Sequence, residues 1–350
     1  MQNLIKDALK SHRADYVEIR IEDHERTKIS LRGKNVDELA TSRSVGGCVR
    51  ALVSGGWGFV SFNDIANLKD HVALAVSQAK LVSRVCGDNL LAPVEPITDT
   101  VVPALVVDPR SISLASKRAL LEEYNDIMLS YSPKIQTTAV RYRDTYSKKY
   151  FANSEGTYIE QEHCDVGASF TAIAREGDNV QQMLVSAGGV DGYQCIKGHH
   201  DEVRECARRA VENLSAAPVD AGQYTVVLDP GLAGVFVHEA FGHLSESDFI
   251  YENSMLREIM VLGKQFGSPI LNIADGAAVP GHRGSYKYDD EGVPSSVTPL
   301  IRDGVLVGRL HSRGTAAKMC ERPTGNARAI NYRFQPIVRM TNTYIENGET

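Results

Sequence analysis

The sequence predicts an α+β protein in two parts. An N-terminal α/β domain occupies residues 1–215, and a β-rich C-terminal domain over 222–350 carries a histidine-bearing helix near its start. Three observations lead there. Period-2 stretches such as "ADYVEIRIED" are interleaved with helical-period stretches such as "DIANLKDHVALAVSQAKLV". The small, polar, Pro-containing run "SAAPVDAG", Ser215 to Gly222, reads as a linker. Beyond it the chain turns to short apolar runs broken by turn residues.

The elements follow in order. Leu4, Ile5, Ala8 and Leu9 recur at helical spacing and predict a helix over about 2–13. In the next stretch Tyr16, Glu18, Arg20 and Glu22 alternate with Val17, Ile19 and Ile21, the pattern of a half-buried strand. "TKISLRGKNVDEL" reads as a second strand and turn. "GGCVRALVSGGWGFVSF" reads as a hairpin turning at Ser54-Gly55-Gly56. Its glycines are not a phosphate loop, because no helix opening with Lys-Ser/Thr follows. Ile65, Leu68, Val72, Leu74 and Ala75 place an amphipathic helix next.

Prolines at 93, 96, 103 and 109 make 88–112 an irregular, extended connection. A helix over 112–131 follows, then strands over 135–144, 147–152, 157–173 and 179–187, with "NSEG" as a hairpin turn. A helix over 199–214 opens with His199 and His200. These point about 100° apart on a helix and do not suit a shared metal. After the linker, "QYTVVLD" reads as a short buried strand. Asp303-Gly304 supplies the turn of a hairpin in "PLIRDGVLVGRL".

Composition bounds the function. The chain has 350 residues, 43% hydrophobic and 23% charged, enough for two domains with a substantial core. A net charge of −6 argues against general binding to nucleic acid or anionic membranes. No run approaches the ~18 apolar residues of a membrane helix. At the N-terminus Lys6 and Asp7 interrupt what a signal peptide would need as an apolar run, so the cytoplasm is the expected compartment. Cys48, Cys86, Cys164, Cys195, Cys206 and Cys320 are scattered without a C-x-x-C, and read mostly as reduced, buried small residues.

The chemistry concentrates in "VFVHEAFGHLSESDF", Val235 to Phe249. Asp229 suits the N-cap of its helix and Pro230 the first helical position. Leu232, Val235, Phe236 and Ala240 share a face that would pack on the preceding strand. His238, Glu239 and His243 are the candidate site residues. Residues five apart on a regular α-helix differ by about 140°, against about 40° for residues four apart. A shared metal therefore requires the helix to widen into a π-turn or to end here, and Gly242 eases either distortion.

"HEAFGH" resembles the HExxxH motif of the TldD/PmbA metalloprotease family, formerly described as modulators of DNA gyrase. "GGCVRALVSGGWGF", "RGSYKYDDEGVPSS", "LIRDGVLVG", "RPTGNARA" and "RMTNTYIENG" resemble further blocks of that family in the same order, so the likeness spans most of the chain. The resemblance implies a cytoplasmic zinc metallopeptidase that cleaves small or unfolded peptides. It also implies a dimer, either of two copies or with a PmbA/TldE-type partner that lacks the motif. Carried over by position, His238 and His243 are the metal ligands and Glu239 is the general base. Zinc lowers the pKa of a bound water to about 7, which a neighbouring carboxylate can then exploit.

The family's third ligand is a Cys close to the C-terminus, after the block resembling "RMTNTY", and no residue here matches it. Cys320, His282, His311 and Glu246 are the candidates within the chain. The expected explanation is that the 350 residues are a shortened form of a longer protein, with apolar surface left exposed where the absent segment belongs. Two other readings stay open: a non-catalytic regulatory or binding protein, and an inactive structural subunit of a dimer.

Overall fold

In the computed structural model, residues 1–85 and 89–348 are described. Long strands dominate the N-terminal part. After α1 (Gln2–Leu9), β1 (Tyr16–Arg32), β2 (Asn35–Val53) and β3 (Gly56–Phe62) form a meander, followed by α2 (Leu68–Val82). Then come β4 (Thr98–Val101), α3 (Leu114–Ser130), β5 (Ile135–Asn153), β6 (Tyr158–Glu176), β7 (Asn179–Gly189) and α4 (His200–Glu212). The seven strands form one sheet in the order β3-β2-β1-β5-β6-β4, with β7 also paired to β6. Every pairing in it is antiparallel except β4 with β6. That makes the fold α+β.

Several boundaries differ from the sequence reading, each for a local reason. The first helix stops at Leu9, where the Ser11 hydroxyl takes the Ala8 carbonyl at 2.6 Å. The two strands expected between Ala14 and Leu39 begin as one, because β1 runs unbroken to Arg32 before Gly33 turns the chain at φ +55°. The strands expected at 135–144 and 147–152 are likewise one: Thr145 and Tyr146 stay in register with Arg26 and Glu25 of β1. The connection expected over 88–112, of which residue 88 lies outside the described residues, contains the short strand β4. Leu74 is half exposed, since position 74 points away from the buried Leu68, Val72, Ala75, Val76 and Ala79. The expected turns at Ser54-Gly55 and Asn153–Gly156 form. Asn153 Oδ1 accepts from the backbone N–H of Glu155 and Thr157 at 3.1 and 3.0 Å.

The sheet has two differently covered faces. On one, Val17, Ile19, Ile21 and Val49 pack under α1 and α2, while Ile29, Leu31, Val140 and Phe170 pack under α3 and α4. The opposite face carries the alternate, polar residues of β1. The alternation was expected to leave these half in water, yet Glu18, Arg20 and Glu22 are buried beneath segments after residue 280. Arg50 bridges Glu18 at 2.7 Å and Glu291 at 2.7 Å, and Lys149 reaches Asp290 at 2.7 Å. Arg20 lies 3.0 Å from Glu22 and 3.7 Å from Asp290. Tyr332 closes the contact by donating its N–H to Glu22 at 3.1 Å.

The C-terminal part is more helical than expected. It holds α5 (Pro230–Val237), α6 (Ser247–Glu252), α7 (Ser254–Ile259) and α8 (Arg313–Met319). Strands β8 (Ile273–Gly276), β9 (Val297–Arg302), β10 (Val305–Leu306) and β13 (Thr343–Ile345) form a sheet in the order β10-β9-β8-β13. β11 (Ala327–Arg328) pairs with β12 (Ile337–Val338). Asp303 and Gly304, at φ +51° and +76°, make the expected β9–β10 turn. Val237, Ile250, Leu300, Leu310 and Met340 are among the residues of the core.

The expected strand "QYTVVLD" does not form. Among the described residues nothing pairs with 223–229, and Val227 is 99% exposed. The packing expected of Leu232, Val235 and Phe236 on that strand is absent too, with Phe236 60% exposed. Without a neighbouring ladder an isolated run of β-formers has no hydrogen-bonding partner to hold it extended.

Candidate metal centre

The motif helix starts as its sequence dictates. The Asp229 carboxylate accepts from the Leu232 N–H at 2.7 Å, and Pro230 opens the first turn. α5 then widens at Val237 into a π-turn over His238–Gly242, closed by the N–H of His243 donating to the carbonyl of His238. A 3-10 turn, His243–Ser245, ends the helical run. The wider turn brings positions five apart onto one side. The rings of His238 and His243 lie 4.9 Å apart at 80° to each other. One ligand atom from each of His238, Glu239 and His243 falls within a 4.8 Å cluster. Both histidines are half-buried and Glu239 is exposed.

Gly242 acts differently from the sequence argument. Its backbone is ordinary right-handed helix, at φ −59°. What excludes a side chain is crowding, since a Cβ there would collide with Met340 Sδ. Met340 thus packs against the back of the π-turn while its chain passes beneath the site.

His238 and Glu239 open on a cleft of ≈ 900 Å³ also lined by His282, Thr341, Asn342 and Tyr344. Asn342 also fixes the loop before it, accepting from Gly284 N–H at 3.1 Å and meeting Ser285 Oγ at 2.9 Å. Composition and spacing gave no hint that 340–344 lie here. "RMTNTYIENG" stood out only as a block of resemblance.

The within-chain candidates for a third ligand are not drawn into the cluster. Cys320 is exposed at the left-handed end of α8, φ +57°. His311 is buried and engaged with Ser247 Oγ at 3.3 Å, Thr315 Oγ1 at 3.2 Å and Glu321 at 3.0 Å. His282 is exposed on the same cleft but outside the ligand group. Glu246 is fully buried and outside the ligand group, with Oε2 3.3 Å from His243 Nδ1. His199 and His200 have separate partners, the Cys195 carbonyl at 3.0 Å and Glu123 at 2.8 Å.

Two imidazoles and an adjacent carboxylate, brought together by one turn, are a donor set that suits zinc. Among the described residues Cys48, Cys164, Cys195, Cys206 and Cys320 are free thiols, and Cys86 lies outside them. No helix is long and apolar enough to cross a membrane among those residues.

Comparison with known proteins points the same way. Profiles of the PmbA/TldA metallopeptidase domain 1, central domain and C-terminal domain match residues 17–81, 107–217 and 221–350. A metalloprotease of Synechocystis sp. is 50% identical over 338 residues, covering 96% of this chain and 73% of the relative. A zinc metalloprotease TldD homologue of Saccharolobus solfataricus is 32% identical over 219 residues, 62% of this chain and 49% of its own. The crystal structure of TldE from Thermococcus kodakarensis shares the fold, with a TM-score of 0.76 at 18% identity over 100% of this chain and 78% of that one. A chain matched by all three domain profiles, and half identical to a metalloprotease along nearly its whole length, belongs to the TldD/PmbA family of metallopeptidases.

Proposed function

We propose that this chain is a zinc-dependent peptidase of the TldD type, acting on small or unfolded peptides. The observation that carries this is the π-turn, which brings His238, Glu239 and His243 together at a spacing a regular helix would separate. His238 and His243 would hold the metal. Bound there, zinc would supply Lewis acidity to polarise the scissile carbonyl. Glu239, exposed beside the two ligands, takes a proton from the attacking water and returns it to the leaving amine. A cleft of ≈ 900 Å³ holds a short extended segment, not a folded domain. Residues 1–215 would then be a scaffold domain and 222–350 the catalytic one. The partner is a second copy or a TldE-type subunit, a pairing suggested by the shared fold with TldE. A reducing compartment, the cytoplasm, is expected from the free thiols.

The test joins metal content to cleavage. The purified protein is analysed for transition metals and assayed on an unfolded peptide with and without a chelator. About one zinc per active subunit and chelator-sensitive cleavage are expected. Metal-independent cleavage would remove the assignment. Absence of both metal and cleavage would favour the alternatives, a non-catalytic binding protein or an inactive structural subunit.

A further inference from the structure

The motif helix ends in an acidic residue that the proposed chemistry leaves unused. Glu246 follows the 3-10 turn in extended conformation, φ −72° and ψ 109°, with its side chain 0% exposed. Its position is held from both sides along the backbone. Leu310 N–H donates to the Ser245 carbonyl at 2.8 Å, and Ser247 N–H donates to the Leu310 carbonyl at 3.1 Å. The two carboxylate oxygens have different partners. Oε1 accepts from the Met340 N–H at 3.1 Å and has Arg339 Nε at 3.6 Å. Oε2 lies 3.3 Å from His243 Nδ1.

We infer that Glu246 is a positioning residue for His243: it accepts the Nδ1–H of that ring and thereby presents Nε2 to the metal. This rests on the reading of His243 as a metal ligand. A buried carboxylate oxygen needs a donor, since an unsatisfied one costs the full desolvation of the group. For Oε2 the donor at hand is the His243 ring, and a neutral ring can donate from Nδ1 only in the tautomer that leaves a lone pair on Nε2. That is the form a metal requires, and a carboxylate behind a ligating imidazole also fixes the ring's rotation. The arrangement removes Glu246 from the ligand candidates as well, because its two oxygens are engaged by His243 Nδ1 and the Met340 N–H and it lies outside the ligand group. Through Oε1 the same side chain ties the ligand to Met340, whose sulfur packs on Gly242 of the π-turn.

The tautomer can be read without metal or substrate. The metal-free full chain, labelled with 15N-histidine, is examined at pH 8, where an ordinary imidazole is neutral. Long-range 1H–15N correlations then report which nitrogen of His243 carries the proton, with His243→Gln identifying the signal. An Nδ1–H ring is expected in the unsubstituted protein, and an Nε2–H ring there overturns the proposal whatever any variant does. In Glu246→Ala the ring should lose its bias. Zinc affinity, measured by competition with a chromophoric chelator, should fall roughly 10–100-fold. Glu246→Gln keeps shape and an acceptor oxygen, so it should retain the Nδ1–H tautomer and recover part of the affinity. A Glu246→Ala protein that melts earlier but keeps both tautomer and affinity would show a purely structural tie to Met340 and overturn the inference. Failure of the peptidase reading shows separately, as zinc-loaded protein that cleaves no peptide.

Discussion

At Glu239 and His238 the proposed roles, base and metal ligand, fall on neighbouring side chains. Within the cluster Glu239 is exposed while His238 is half-buried. Glu239→Gln should therefore keep its metal and fold and lose at least about 100-fold in peptide turnover, the usual scale of a lost general base. His238→Ala should lose metal and turnover together. Elemental analysis beside a cleavage assay checks both, and unchanged turnover in Glu239→Gln would take it out of the mechanism. Cys320→Ser should leave zinc content unchanged, because that thiol lies at the exposed end of α8 and outside the ligand cluster. Thiol reactivity follows burial in the same way. Burial pushes Cys48 up to about 11 and Cys164 up to about 12, far from the thiolate at neutral pH. Alkylation of the folded protein followed by mass spectrometry should find Cys320 modified well before Cys48, Cys164 or Cys206. Early labelling of Cys164 would contradict the packing under α3 and α4.

The decisive element is the one that breaks the rule for its class. α5 is a regular helix with a regular cap, and the π-turn after it is what makes the five-residue histidine spacing work. It is packed against a neighbour distant in sequence, since Met340 occupies the space a side chain at 242 would need. Gly242→Ala should destabilise the protein by roughly 1–3 kcal/mol, the range for overpacking a filled site, and weaken metal binding at the same time. Urea unfolding and chelator competition measure the two effects. Loss of stability with metal affinity untouched would mean that the π-turn and Met340 are not coupled. Asp229 acts at the other end of the helix: Asp229→Ala should cost about 1 kcal/mol as a lost N-cap and leave the metal in place.

Across the whole molecule, the polar face of the central sheet joins its two parts. Glu18, Arg20, Glu22, Arg50 and Lys149 meet Asp290, Glu291 and Tyr332. Burial alone would raise the Asp290 carboxyl, but Lys149 and Arg20 beside it outweigh that and hold it well below the ordinary range. Asp290→Ala leaves the buried Arg20 and the partly exposed Lys149 with a missing partner, and should cost on the order of 3 kcal/mol in urea unfolding at pH 7. Because the folded pKa is depressed, the stability Asp290 adds is complete above about pH 4 and is lost as the pH falls towards the folded value. The gap between the unsubstituted protein and Asp290→Ala should therefore narrow below pH 4. Asp289 next to it shifts the opposite way, raised by burial and then by Glu291, but it is present in both proteins and cancels in the comparison. A gap independent of pH would show that Asp290 acts through shape and not charge.

The sequence by itself determined the strand-forming and helix-forming stretches, the turns at Ser54-Gly55 and Asp303-Gly304, the Asp229 cap and the family of the chain. These are local, written in side-chain period, turn chemistry and motif. It also named the condition on the histidines: a helix that widens or ends between His238 and His243. That it widens is seen only in the tertiary structure, where Met340 packs on Gly242 of the π-turn. The fate of the polar half of β1 was decided there too. Period-2 alternation marks which residues share a face but not what covers it, so Arg20 and Glu22 look solvated in sequence and are buried against residues some 270–310 positions later. The same limit explains the failure at "QYTVVLD" and at Leu232, Val235 and Phe236. Apolar character at helical or strand spacing states a tendency to be buried, and burial needs a neighbour that only the assembled chain supplies.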